Sequence, residues 1–398
     1  MKRAAPVLEA ALARLTELDL RRSRTTVEAF PAPGTREVTL AGGRRLVDFS
    51  SNDYLGLARH PALAEAMSAC AARLGAGSGA SHLVTGHGAE HEHLEEALAA
   101  FTHRERALLF SSGYMANLAV LATLAGRGER VLLDRLCHAS LIDGARLSGA
   151  RLKRYPHADA GAAARLLARD AGRTALMATD GVFSMDGDLA PLPELARAAR
   201  ESQAWLVVDD AHGLGVLGAS GRGVLEHYGL DAEAVPVLIG TLGKAFGSFG
   251  AFVAGGADLI ELLIQKARPY IYTTAMPQPV AAATRCALEL ADRESWRRER
   301  LLELTARFRR RALEAGVPLA DSLTPIQPVP LGSPAAALAA QRELEEAGFW
   351  VVAIRPPTVP RGSSRLRVTL SAVHTERQVD ELVEALARGC ARSGSPCA

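Results

Sequence analysis

From Leu63 onward, helical periodicity alternates with short apolar, β-branched runs, and few folds accommodate that order. The runs are Ala107–Phe110, Arg130–Asp134, Thr174–Ala178, Trp205–Val208, Pro236–Ile239 and Gly250–Ala254. Strands this apolar suit burial on both faces, so the alternation predicts an α/β fold whose large, mostly parallel sheet is covered by helices on both sides. Two flanking patterns precede it. Val7, Leu8, Leu12, Leu15 and Leu18 recur at helical spacing and predict an amphipathic helix over Ala4–Leu20. Val38–Phe49 reads as a hairpin that turns at Ala41-Gly42-Gly43. Near Pro277 and Pro279 the pattern shifts to a long helix and then to a smaller α+β lobe. At 398 residues the chain exceeds one average domain. The expected organisation is an N-terminal helix and hairpin segment (1–50), a large domain (51–289) and a small C-terminal α+β domain (290–398), with Ser393–Ala398 as a loose tail.

Charge and cysteine usage narrow the class. With 46 basic against 44 acidic residues, the net charge of +2 gives no electrostatic case for nucleic acid or a membrane surface. No apolar stretch approaches the roughly 20 residues that span a bilayer. Five cysteines in no paired spacing do not read as a disulfide framework, and a cytoplasmic location is expected. Glu9, Arg14, Glu17 and Asp19 interrupt any secretory apolar core.

Chemistry concentrates in three segments. Thr241-Leu-Gly-Lys244-Ala-Phe-Gly-Ser-Phe-Gly250 puts one lysine in a loop of small residues after an apolar run. Desolvation there lowers an ammonium pKa, which makes Lys244 a candidate to condense with a cofactor aldehyde. Ala204–His212 reads as a buried strand that ends in Asp209, Asp210 and His212, at the strand end where α/β sheets bind ligands. A carboxylate in that place suits the pyridinium nitrogen of pyridoxal phosphate, and His212 can reach the ring's phenolic oxygen. Leu109–Asn117 reads as strand, small-residue turn and helix. Gly113 there lets a phosphate approach the N–H groups of the helix N-terminus.

Thr241-Leu-Gly-Lys244 and Asp209-Asp-Ala-His-Gly-Leu-Gly215 resemble the attachment and pyridine-nitrogen motifs of the α-oxoamine synthases. Ser50–Leu57, Asp134–Leu141, Gly181–Asp188 and Ala353–Pro360 extend that resemblance from near Leu20 to about Val383. It implies pyridoxal 5'-phosphate as cofactor and the fold type I, aspartate-aminotransferase-like architecture. It implies Gly113, Tyr114 and Thr241 at the phosphate, His138 stacked on the pyridine ring and Ser184 near the phenolic oxygen. Lys244, Asp209 and His138 would be catalytic. Arg21 would contact the acyl substrate, although Arg22 and Arg24 leave the register open, Arg355 would hold the amino-acid carboxylate, and Thr358 and His138 would also contact substrate. Asp180 stands where relatives usually have glutamate.

Within the family, Ala353–Pro360 points to the members that join L-alanine to a pimeloyl thioester with loss of carbon dioxide, on the route to biotin. The acyl carrier, coenzyme A or an acyl carrier protein, stays open. Sister enzymes using glycine or serine, and a catalytically inactive cofactor-binding protein, are the alternatives. A homodimer is implied, with Gly75–Gly88 and Tyr270–Thr274 reaching across subunits.

Two patterns imitate other sites. Gly213-Leu-Gly215-Val-Leu-Gly218 fits the dinucleotide fingerprint, but Ala-Ser-Gly follows where a helix should open. His82, His87, His91 and His93 resemble a metal cluster. His87 lies in an expected loop, and His91 and His93 are two apart on a helix and face different sides, so no metal site is expected.

Overall fold

The computed structural model describes residues 5–30, 32, 34–169 and 174–392. The expectations for Ala4 and for the tail Ser393–Ala398 lie outside these residues. The chain divides into two compact units: Leu55–Ser184 with Asp188–Arg298, and residues 1–54 with Met185–Gly187 and Glu299–Ala398.

The first unit is built on a seven-stranded sheet. Its strands are β1 (Arg106–Phe110), β2 (Arg130–Asp134), β3 (Arg151–Tyr155), β4 (Thr174–Asp180), β5 (Trp205–Asp209), β6 (Val237–Thr241) and β7 (Ala251–Gly255). They lie in the order β1-β7-β6-β5-β4-β2-β3. Strands β2 to β6 run parallel, and β7 runs antiparallel to both β6 and β1. Alternate residues bury opposite faces of this sheet. Leu108, Val131, Leu133, Leu176, Val207, Ile239 and Val253 enter one core cluster. Their neighbours Leu109, Leu132, Met177, Val208, Leu238 and Phe252 are buried as well. Burying both faces explains runs with no polar alternation. Strand β3 was not anticipated, because Leu152 and Tyr155 are its only large apolar residues and it lies at the sheet edge.

Three helices of this unit matter for the site: α1 (Ala89–Phe101), α2 (Gly113–Leu124) and α3 (Ala139–Leu147). Ser112 starts α2 by accepting the Met115 N–H at 3.3 Å. The helix is apolar almost all round and buries Ala116, Asn117, Ala119, Val120 and Leu121, as an interior helix does. His138 caps α3 through its ring. No dinucleotide-type helix follows Gly213–Gly218; the next helix is the short Val224–Tyr228.

The second unit holds the hairpin Glu37–Leu40 and Arg45–Asp48 in a four-stranded sheet. Buried Arg36 braces it by donating to Asp48 at 2.5 Å and Asp53 at 3.3 Å. A three-stranded antiparallel sheet (Ile326–Gly332, Ser364–Thr369, Val352–Ile354) packs with Pro334–Glu346. The amphipathic helix forms over Ala5–Glu17, yet Val7, Leu8, Leu12 and Leu15 stay exposed in the single chain.

Candidate active site

The parallel strands β4, β5 and β6 end side by side, with Asp180 paired to Asp209 in register. The chain leaves β6 at Thr241, loops through Lys244 and returns in β7, where Ala251 pairs back with Thr241. Backbone bonds from Leu242 N–H to Gly250 O and from Gly247 N–H to Lys244 O tighten this loop. Gly247 has φ +63°, and a Cβ there would lie 2.2 Å from the Ala58 nitrogen. Only glycine admits that approach. The loop holds the half-buried Lys244 with its Nζ 2.8 Å from His212 Nε2.

Asp209 is held from two sides. Its Oδ1 accepts the Ala211 N–H at 3.0 Å, and its Oδ2 accepts Asn117 Nδ2 at 2.6 Å. The same Asn117 amide donates to Ser140 Oγ at 2.7 Å, and Ser140 Oγ meets His138 Nδ1 at 2.7 Å. His138 Nδ1 also accepts the Ser140 backbone N–H at 3.4 Å, so it accepts from the Ser140 hydroxyl as well and the ring proton of the neutral form sits on Nε2. Burial lowers the His138 pKa, with Lys244 also lowering it and Asp209 opposing, so the ring is a neutral imidazole at neutral pH. Asn117 and Ser140 were not among the expected site residues. The one signal was a buried amide inside an otherwise apolar helix.

Asp180, the shorter stand-in for glutamate, accepts the backbone N–H of His138 at 2.8 Å. Burial, followed by the neighbouring Asp209, pushes its carboxyl well above the usual range. Ser184 lies half-buried past β4, in the turn where Val182 bridges Leu189.

At the start of α2, the N–H groups of Gly113 and Tyr114 meet no acceptor among the described residues, and a Cβ on Gly113 would meet nothing within 4 Å. Free donors, open space and the positive end of a buried helix are what a phosphate needs. The Tyr114 hydroxyl donates to Asp143, and its ring stands edge-on to His138 with centroids 6.5 Å apart. Thr241 is already committed: its hydroxyl donates to Gly250 O at 3.1 Å. It would have to rotate to serve an anion.

Apart from His138, the expected substrate residues lie in the other unit. Arg21, Arg22, Arg355 and Thr358 line a cavity of about 440 Å³ there. It is Arg22, not Arg21, that donates to Thr358 Oγ1, at 3.2 Å, and to Pro356 O. The Arg21 guanidinium has no partner among the described residues. Arg355 donates to the carbonyls of Asp19 and Arg21, while its buried Nε has no partner among the described residues. Of the four histidines, His82, His87 and His91 converge, although the spacing gave no expectation of a metal site there. Cys70, Cys137 and Cys286 are free, and among the described residues no helix is long and apolar enough to cross a membrane.

A mixed seven-stranded sheet with a lysine loop at the end of its parallel strands defines a class. The model of the class I and II aminotransferases matches residues 44–386, and the chain belongs to that family, with the fold type I architecture. Among curated relatives, an 8-amino-7-oxononanoate synthase of Methylococcus capsulatus is 60% identical over 377 residues, covering 95% of this chain and 96% of its own. Among solved structures, serine palmitoyltransferase from S. paucimobilis with bound PLP and myriocin superposes with a TM-score of 0.91 at 29% identity, covering 97% of each chain. An 8-amino-7-oxononanoate synthase from Francisella tularensis gives 0.77 at 32% identity, covering 87% of this chain and 98% of that one.

Proposed function

We propose that this chain is a pyridoxal-phosphate-dependent acyltransferase that condenses L-alanine with a pimeloyl thioester. The products are 8-amino-7-oxononanoate, carbon dioxide and free thiol, a step of biotin biosynthesis. One observation carries the chemistry: Lys244 Nζ stands 2.8 Å from His212 Nε2 in the loop that follows strand β6. The substrate reading draws its support from the named relatives, which share about 60% of their residues with this chain.

When bound, the cofactor would supply a protonated heterocycle that takes up electron density from the substrate's α-carbon. Asp209, fixed by Asn117 and the Ala211 N–H, would hold the ring nitrogen protonated through its charge. Lys244 would hold the cofactor's aldehyde carbon, then remove and return the proton at the substrate α-carbon. His138, held neutral and fixed by Ser140 and Asp180, would cover the ring face without adding a positive charge. Gly113 and Tyr114 would bind the phosphate through their N–H groups. Ser184 and His212 would orient the phenolic oxygen. Arg355 and Thr358 would hold the alanine carboxylate, for which the orphaned Arg355 Nε is a ready donor. Arg21, without a partner among the described residues, would meet the acyl group. The working form would be a cytoplasmic homodimer.

Thiol release from pimeloyl-coenzyme A and from pimeloyl-acyl carrier protein, each with alanine, glycine or serine, tests this reading. Alanine with pimeloyl donors should give the highest kcat/KM, and Lys244→Ala should lower turnover by at least about 100-fold. Preference for glycine or serine would assign a sister reaction. No thiol release from any pair would leave a cofactor-binding protein without catalysis.

A further inference from the structure

His82 opens a single π-helical turn, His82–Gly86, closed by the Gly86 N–H bonding Ser81 O at 3.0 Å. A bond from i to i+5 returns the chain after five residues, which brings His87 beside His82. Their Nδ1 atoms are 2.7 Å apart. The first turn of α1 then adds His91 and Glu92. His87 Nε2 lies 2.8 Å from Glu92 Oε1. The His91 ring centroid is 5.0 Å from that of His82 and 5.3 Å from that of His87. Nitrogens from all three histidines fall within 4.8 Å of one another. His82 is backed by Tyr270, stacked at 4.9 Å.

Protons can be placed on this network. Glu92 Oε1 accepts a hydrogen bond from His87 Nε2–H, and in the neutral ring that tautomer aims the Nδ1 lone pair of His87 at His82. His82 then fills the short contact with its own Nδ1–H. His91 accepts the Gly88 N–H on Nδ1 at 3.0 Å and donates from Nε2 to Met276 O at 2.7 Å. The result is a set of converging imidazole nitrogens, one ring oriented by a carboxylate, which is the donor set that zinc-class ions favour.

We propose that His82 and His87, with Glu92 orienting His87, bind a divalent transition-metal ion of the zinc class through their facing Nδ1 atoms, and that His91 or water completes the coordination. The site shares no residue with the Lys244 loop. On binding, the His82 proton moves from Nδ1 to Nε2, which frees the Nδ1 lone pair for the metal. Tetrahedral Zn–N bonds of about 2.0–2.1 Å require the two nitrogens to separate by roughly 0.6 Å. For His91 to join, it must release the Gly88 N–H, so a water is its competitor for that position.

The test is equilibrium dialysis of chelator-treated, cofactor-loaded protein against Zn²⁺, with Co²⁺ absorption in the visible as the coordination signature. Wild type should bind one tight equivalent per chain and give a four-coordinate Co²⁺ spectrum. His82→Gln and His87→Gln should each weaken Zn²⁺ at least about tenfold, and Glu92→Gln, on an exposed side chain, should do so about tenfold. His93→Gln, outside the cluster, should change nothing. Absence of saturable binding to wild type overturns the proposal. So does unchanged affinity in a folded His82→Gln/His87→Gln double variant, which would move the metal to cysteines or to His138 and His212.

Discussion

Asp209 and Asp210 leave the same strand end into opposite surroundings. Asp209 faces the Asn117–Ser140–His138 chain of hydrogen bonds, whereas Asp210 is fully buried and caps the Val224 N–H at 2.8 Å. Burial pushes the Asp210 carboxyl well above the usual range. The place of the lysine loop, of Asp209 and of His212 at the sheet end was legible in their position after apolar runs. The division of labour between the two acids was not, because it depends on which loop closes over each. His157 supports the same sheet end, bridging Asp134 at 3.1 Å and Asp188 at 2.8 Å. Burial alone would lower its pKa, but these two carboxylates push it up to about 10. Since the folded value lies above the ordinary 6.5, its stabilisation is complete below about pH 6.5 and is lost as pH rises through 10. His157→Gln should therefore destabilise the fold by on the order of 2 kcal/mol at pH 6. Urea unfolding should show that gap closing towards pH 10; a gap that is flat with pH would rule out the charged bridge.

At the level of elements, apolar runs located six of the seven strands of the large sheet, because strands buried on both faces announce themselves. Strand β3 escaped because an edge strand can carry Arg151, Lys153 and Arg154 without burying their charges. The π-turn at His82–Gly86 also left no trace, since its hydrogen-bond shift has no residue signature. The motif Asp210-Ala-His-Gly213 through Gly223 gives the sharpest prediction here. Gly223 has φ +86°, and a Cβ there would lie 1.8 Å from Asp210 Oδ2. Gly223→Ala combines an unfavourable backbone conformation with a clash against a fixed carboxyl, so it should destabilise by at least about 3 kcal/mol. Thermal melting should show a midpoint lower by roughly 6–12 °C. An unchanged midpoint would mean that Asp210 can retreat from this position.

For the whole molecule, the near-balanced charge gives no electrostatic drive towards nucleic acid or membrane, and the expected partner is a second copy of the chain. Light scattering at micromolar concentration should return twice the chain mass, and a monomer would remove the subunit arrangement from the functional reading. The sequence by itself determined the strand-helix alternation, the lysine loop, the acid at the end of β5 and the glycine that opens α2. These are local properties, written in burial period and residue type within one segment. Only the tertiary structure decided that Arg22 rather than Arg21 reaches Thr358, that Asn117 links Asp209 to His138 through Ser140, and that His82, His87 and His91 converge. Each of these contacts depends on sheet register, helix capping or a local change of helical pitch. Such side-chain meetings are fixed by packing geometry, which no single stretch of chain contains.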